Sequence, residues 1–152
     1  MTTERPLNVL FLCTHNSARS IIAECVVNRL GAGRFKGFSA GSQPSGKVHP
    51  YALDLLKDLH LPIDGLRSKS WEEFEGAGAE KMDFIFTVCD NAAAEACPVW
   101  PGQPMTAHWG IPDPAAVDGP EAGRRAAFRA AFAALEGRLK PFLGLTLAAS
   151  AA

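Results

Sequence analysis

An apolar run, Asn-Val-Leu-Phe-Leu at residues 8–12, stops at Cys13, and a helical spacing of apolar side chains follows almost at once. A run so short and unbroken reads as a strand buried on both faces. Ile21, Ile22, Val26 and Leu30 then recur at helical intervals within residues 17–30, until Gly31 stops them. A buried strand feeding directly into a helix is the opening of a βα unit. Its strand must find a parallel partner by a right-handed crossover, which leaves few folds open.

The rest of the chain repeats the alternation. Residues 36–40 form a second short strand ended by Gly41, and Ala52, Leu55, Leu56 and Leu59 mark an amphipathic helix closed before Pro62. Residues 68–74 resemble a short helical turn, and 83–88, Asp-Phe-Ile-Phe-Thr-Val, form the clearest strand of all. A short last strand is expected within 101–109, then a helix over 121–143 with Phe128, Phe132, Leu135, Leu139 and Phe142 on one face. This pattern predicts an α/β fold with a mostly parallel sheet and helices on both faces. Residues 1–145 make a single domain, and the Ala/Ser-rich residues 146–152 are expected to form a flexible tail.

Composition narrows the function. Nearly half of the 152 residues are apolar, which excludes disorder, and 15 basic residues against 16 acidic ones give no support for a nucleic-acid partner. The apolar stretches are strand-sized and the polar start has no signal-peptide pattern, so a soluble, cytoplasmic protein with no membrane partner is expected. A chain of this kind has no need of structural disulfides, and none of the four cysteines stands in a Cys-x-x-Cys pair that would suggest zinc. No metal is expected, and some of the four are expected to be reactive thiols.

The chemistry concentrates in Cys13-Thr14-His15-Asn16-Ser17-Ala18-Arg19-Ser20. A strand ends and a helix begins there, so free backbone N–H groups and the helix dipole make an anion site. Arg19 is placed to curl back and offer a planar fork to a tetrahedral oxyanion. The same field favours a thiolate at Cys13, and Ser20 is placed to donate to that sulfur. Each residue alone has a plainer reading: a cysteine ending a strand is often core, and an arginine on a first helical turn is often solvated. Placement after a strand and at a helix start, with Asn16, Ser17 and Ser20 alongside, favours the anion site. Cys89 also follows a strand directly, and parallel pairing would bring it to the same sheet edge as Cys13. Cys25 falls among Ile21, Ile22 and Val26 and reads as core. His49, His60 and His108 are too scattered for a ligand set.

These residues resemble the low-molecular-weight tyrosine phosphatase superfamily and, within it, the arsenate reductases of that fold. Four segments carry the resemblance: residues 9–20, Phe38-Ser39-Ala40-Gly41, the stretch from Phe86-Thr87-Val88-Cys89 to Cys97-Pro98, and His108-Trp109-Gly110-Ile111-Pro112-Asp113-Pro114. The last two are the reductase-like ones. The resemblance implies a four-stranded parallel sheet flanked by helices and a monomer. It implies Cys13 as nucleophile, Arg19 and the loop amides as arsenate ligands, Asp113 as general acid, and Cys89 with Cys97 as redox pair. It further implies no bound cofactor, with electrons from thioredoxin, or from glutaredoxin and glutathione. His15 stands where many members have glycine, so an unusual backbone conformation is expected there, which His tolerates better than a β-branched residue. Ser17-Ala18 lacks the second loop cysteine common in the phosphatases.

Two other functions fit parts of the pattern. A phosphomonoester hydrolase would use Cys13, Arg19 and Asp113, with water as second nucleophile. Such enzymes place aromatics beside the Asp-Pro, where this chain has Ala115 and Ala116, its single tyrosine, Tyr51, being far away in sequence. A non-catalytic oxyanion-binding or redox-sensing module would leave the nucleophile or the thiol pair idle.

Overall fold

The computed structural model describes residues 5–75, 79–88 and 104–151. Strand β1 (Leu7–Cys13) pairs in parallel with β2 (Phe35–Gly41) on one side and β3 (Phe84–Thr87) on the other. Strand β4 (Met105–His108) extends the sheet beyond β3, giving the order β2-β1-β3-β4. The chain moves outward from β1 to β2 and then crosses back to β3. That reversal opens a crevice at the carboxyl end of β1, where ligands of such sheets bind.

From Val9 to Cys13 strand β1 is apolar because it is central and covered on both faces. Val9, Phe11 and Cys13 face a core built with α1 (Arg19–Leu30), α2 (Pro50–Asp58) and α3 (Glu121–Ala151). Leu10 and Leu12 face the other way, against Ala40, Ile85, Met82 and Phe74, the last from a 3₁₀ turn at Trp71–Phe74. Helix α1 buries Ile21, Ile22, Ala23, Val26 and Val27, too broad a surface for a single stripe, because it packs against both the sheet and α3. Helix α3 sends Phe128, Leu135 and Leu139 inward at the expected period. It runs on past Thr146, where composition had set a boundary, in keeping with alanine's high helix propensity.

One feature fixes each end of the sheet, beginning with the end that carries the site. Trp109, directly after β4, stacks on Phe86 with ring centroids 4.0 Å apart, and Phe142 of α3 meets Phe86 edge-on at 5.0 Å. Buried aromatic pairs of this geometry add about 0.5–1.5 kcal/mol each beyond their area, and here they anchor the segment leading to Asp113. At the opposite end Asp83 accepts from the Asn8 amide at 2.8 Å and pairs with Arg5 at 2.7 Å, which sets the start of β3 against β1. Partial burial pushes the Asp83 carboxyl up, but the hydrogen bonds from Arg5 and Asn8 outweigh it and hold it below the usual carboxylate range.

Gly41, paired with Cys13 at the end of β2, has no room for a side chain. A Cβ there would lie 2.5 Å from the Thr14 carbonyl oxygen and 2.7 Å from that of Cys13. Both obstacles are backbone, so relief requires the loop to move. Gly41→Ala is therefore expected to cost about 1–3 kcal/mol, the usual range for overpacking. Urea unfolding measures it, and an unchanged midpoint would show that the loop does not rest on β2.

Candidate active site

The loop between β1 and α1 is held by its carbonyls. Thr14 O accepts from Gln43 N at 2.9 Å, and His15 O accepts from Ser45 N and from Ser68 Oγ, both at 3.0 Å. Ser17 O accepts from His49 N at 2.9 Å. A trans peptide sets its C=O and the next N–H in opposite directions. Carbonyls drawn outward by these neighbours therefore turn the amides of His15, Asn16 and Ala18 inward.

Helix α1 adds its own donors. Its start is two residues later than the apolar spacing implied, with Ala18 in the capping position and no side chain capping the turn. No acidic residue lies in the first turn either. An uncapped first turn has N–H groups in need of an acceptor and the positive end of a dipole beside them, which suits an anion.

The left-handed residue of the loop is Asn16, with φ 48°, and not His15 as the sequence suggested. His15 is exposed, whereas Asn16 is fully buried and uses both ends of its amide. Its Nδ2 donates to Ser20 Oγ at 2.7 Å, and its Oδ1 accepts from Lys69 N at 2.9 Å. Asparagine is among the few residues that visit this conformation readily, because its short amide bonds locally. The Asn16 side chain is thus part of the loop's frame rather than a ligand for the anion.

Cys13 closes the floor, with 3 % of its surface accessible. Arg19 stands over the site with its side chain 11 % exposed. Its Nη1 donates to Ile111 O at 3.0 Å and its Nη2 lies 3.6 Å from Asp113 Oδ2. The structure thus joins two residues singled out from distant parts of the sequence. Asp113 also accepts from Ala115 N at 3.0 Å, capping a 3₁₀ turn at Pro114–Ala116, so the turn reading of Asp-Pro and a role at the site hold together. His108 shapes this edge, its Nδ1 lying 2.7 Å from Thr87 Oγ1 across the register.

Cys89 and Cys97 lie outside the described residues. The strand before Cys89 does end at the site: Val88 N donates to Leu12 O at 2.9 Å, and Val88 O accepts from Ile111 N at 3.1 Å. Cys25 is core as expected, and burial, reinforced by the Glu24 charge, pushes its thiol up to about 12.

The wall beside the loop was not readable from spacing. His49 caps α2, its Nδ1 accepting from Tyr51 N at 3.1 Å while its own amide supports Ser17. Burial, then the charge of Arg124, push its imidazole below the usual range against the opposing pull of Asp113, which suits a ring that accepts. Tyr51, distant in sequence, therefore stands next to the residue that holds Ser17. Its ring is engaged by Phe128, Arg124 and Arg125. Ser68 and Lys69 gave no sequence signal beyond the short helical turn expected over 68–74, which the structure starts only at Trp71.

Arg19→Lys keeps the charge but loses the planar fork that reaches the Ile111 carbonyl and Asp113 together. The variant is expected to bind inorganic phosphate about tenfold more weakly or worse, comparable to losing a charge-assisted hydrogen bond. Equal affinity by calorimetric titration would reduce Arg19 to a structural cation.

The family described as low molecular weight phosphotyrosine protein phosphatase matches residues 8–151. An arsenate reductase of Halalkalibacterium halodurans is 31% identical over 134 residues, covering 88% of this chain and 93% of that protein. A glutaredoxin arsenate reductase of Synechocystis is 32% identical over 106 residues, covering 70% of this chain and 77% of its own. The crystal structure of an arsenate reductase from Archaeoglobus fulgidus superposes with a TM-score of 0.70 at 30% identity, covering 90% of this chain and 98% of that one. The four-stranded parallel sheet and the loop at its switch point are thus those of a known group, and the chain belongs to the low molecular weight phosphotyrosine protein phosphatase family, alongside relatives named arsenate reductase.

Proposed function

We propose that this chain reduces arsenate to arsenite. The observation that carries the proposal is the meeting of Cys13, the uncapped start of α1 and the Arg19–Asp113 pair at one sheet edge. In this reading the inward amides and Arg19 hold the oxygens of arsenate, as donors aimed at developing charge do in other enzymes. The Cys13 thiolate attacks arsenic while Asp113, as general acid, gives a proton to the departing hydroxide. The Ser20 hydroxyl, already accepting from Asn16, keeps its own proton to donate toward the sulfur.

Reduction needs a second thiol, and Cys89 is assigned to it. Attack of the Cys89 thiolate on Cys13 Sγ forms an S–S bond, and the electron pair of the S–As bond stays on arsenic, which leaves as arsenite. Cys97 then attacks Cys89, freeing Cys13 and leaving a Cys89–Cys97 disulfide for an external dithiol to reduce. Thioredoxin, or glutaredoxin with glutathione, fills that role, and the name of the Synechocystis relative supports the second. No bound cofactor enters the scheme. Among the described residues no helix is long and apolar enough to cross a membrane.

The phosphatase alternative shares every step up to the covalent adduct, so the thiols decide between them. Wild-type protein with arsenate, thioredoxin, its reductase and NADPH is expected to oxidise NADPH, and Cys13→Ser to abolish this. An aryl phosphate hydrolysed briskly without arsenate-dependent NADPH oxidation would establish the phosphatase instead. Cys97→Ser is expected to complete one turnover and stall with Cys13 joined to Cys89. Peptide mapping by mass spectrometry would find that link; free Cys13 with no arsenite released would remove Cys89 from the scheme.

A further inference from the structure

Two charged side chains that the reaction does not use lie buried behind the anion loop. Lys69 and Glu24 have side chains only 10 % and 18 % exposed, 3.9 Å apart between Nζ and Oε1. Lys69 Nζ donates to Ser39 O at 2.9 Å and lies 3.3 Å from Ser39 Oγ, which itself donates to Glu24 Oε1 at 2.5 Å. One cluster therefore joins α1, β2 and the segment before the first 3₁₀ turn. Burial works against both charges, pushing Glu24 up and Lys69 down, while each partner's charge opposes its effect on the other. A buried ion pair of this kind is a poor source of stability, since apolar replacements often do as well. Its place in the fold suggests another use.

Residues 68–70 hold the anion loop at two points and β2 at a third. Lys69 N donates to Asn16 Oδ1 at 2.9 Å, Ser68 Oγ donates to His15 O at 3.0 Å, and Gly41 N donates to Lys69 O at 2.9 Å, with Ser70 bridged to Gly41. This segment is otherwise irregular, and the ammonium of Lys69 reaches inward from its middle to the carbonyl of Ser39. We propose that Lys69 is a positioning residue for oxyanion capture: pinned on Ser39 and Glu24, it fixes the backbone that keeps Asn16 left-handed and aims the loop amides. The proposal rests on the reading of residues 13–20 as an oxyanion site. It adds a residue that touches no substrate and acts through Asn16.

The test uses inorganic phosphate as probe, titrated calorimetrically, with thermal unfolding in parallel. Lys69→Met alone strands a buried carboxylate, so the informative variant is Lys69→Met with Glu24→Gln, which leaves no charge orphaned. It is expected to fold, to bind phosphate about tenfold more weakly, and to exchange the His15 and Asn16 amides faster, because small misplacements of preorganised donors are costly. Lys69→Arg, which keeps a cation facing Ser39 and Glu24, is expected to recover most of the affinity. Unchanged affinity and exchange in the folded double variant would overturn the positioning role and leave Lys69 a matter of stability alone. Should the double variant prove unfolded, Ser39→Ala carries the test, since it removes the hydroxyl that links the ammonium to Glu24 without stranding a charge. Weaker phosphate binding there supports the proposal, and unchanged binding overturns it. Wild-type protein that binds neither phosphate nor arsenate would overturn the anion-loop reading itself, and this proposal with it.

Discussion

The site depends on where the carbonyls of one loop are tied. Amides facing a common centre repel one another electrostatically, and nothing in residues 13–18 alone would keep them so. They stay because Gln43, Ser45, Ser68 and His49 draw the opposing carbonyls outward, and because Asn16 accepts a conformation most residues avoid. The pull comes from segments following β2 and preceding β3, so the sheet must form before the loop has its shape. Fold and site are one construction at this point.

That dependence explains what the sequence disclosed. Strands β1 and β3 were legible because burial on both faces demands unbroken apolar runs, and Leu10 with Ile85 meets the demand as plainly as any pair in the chain. Cys13 and Arg19 were legible because strand, loop and helix follow one another within one short stretch. Asp113 was visible as a turn residue, and its approach to Arg19 came only with the fold.

The support of the loop left no such trace. Asn16 and Lys69 meet across 53 positions, through a side-chain oxygen and a backbone amide, and neither partner has to recur at any period. The expectation at His15 went astray for the same reason: a missing glycine marks where a left-handed residue is usual, but the pull on the carbonyls decides which residue takes it. Tyr51 makes the complementary point, since distance along the chain did not keep it from the wall of the site. Cys89 was singled out by its place directly after a strand, and Val88, bonded to Leu12 O, carries the chain beyond β3 toward the site.

The tether on Arg19 has a chemical consequence. A free arginine side chain gives up about 2 kcal/mol of rotamer entropy when immobilised. Here the Ile111 carbonyl and Asp113 hold the fork, so much of that loss is taken during folding rather than on capture. Under the proposed function such a socket sorts guests by charge and tetrahedral shape, properties that arsenate and phosphate share. Discrimination between the two then passes from recognition to reactivity. In the proposed reaction what separates them is the fate of the sulfur adduct: when a thiol attacks that sulfur, the electron pair of the S–As bond stays on arsenic, whereas phosphorus has no comparable lower state to fall into.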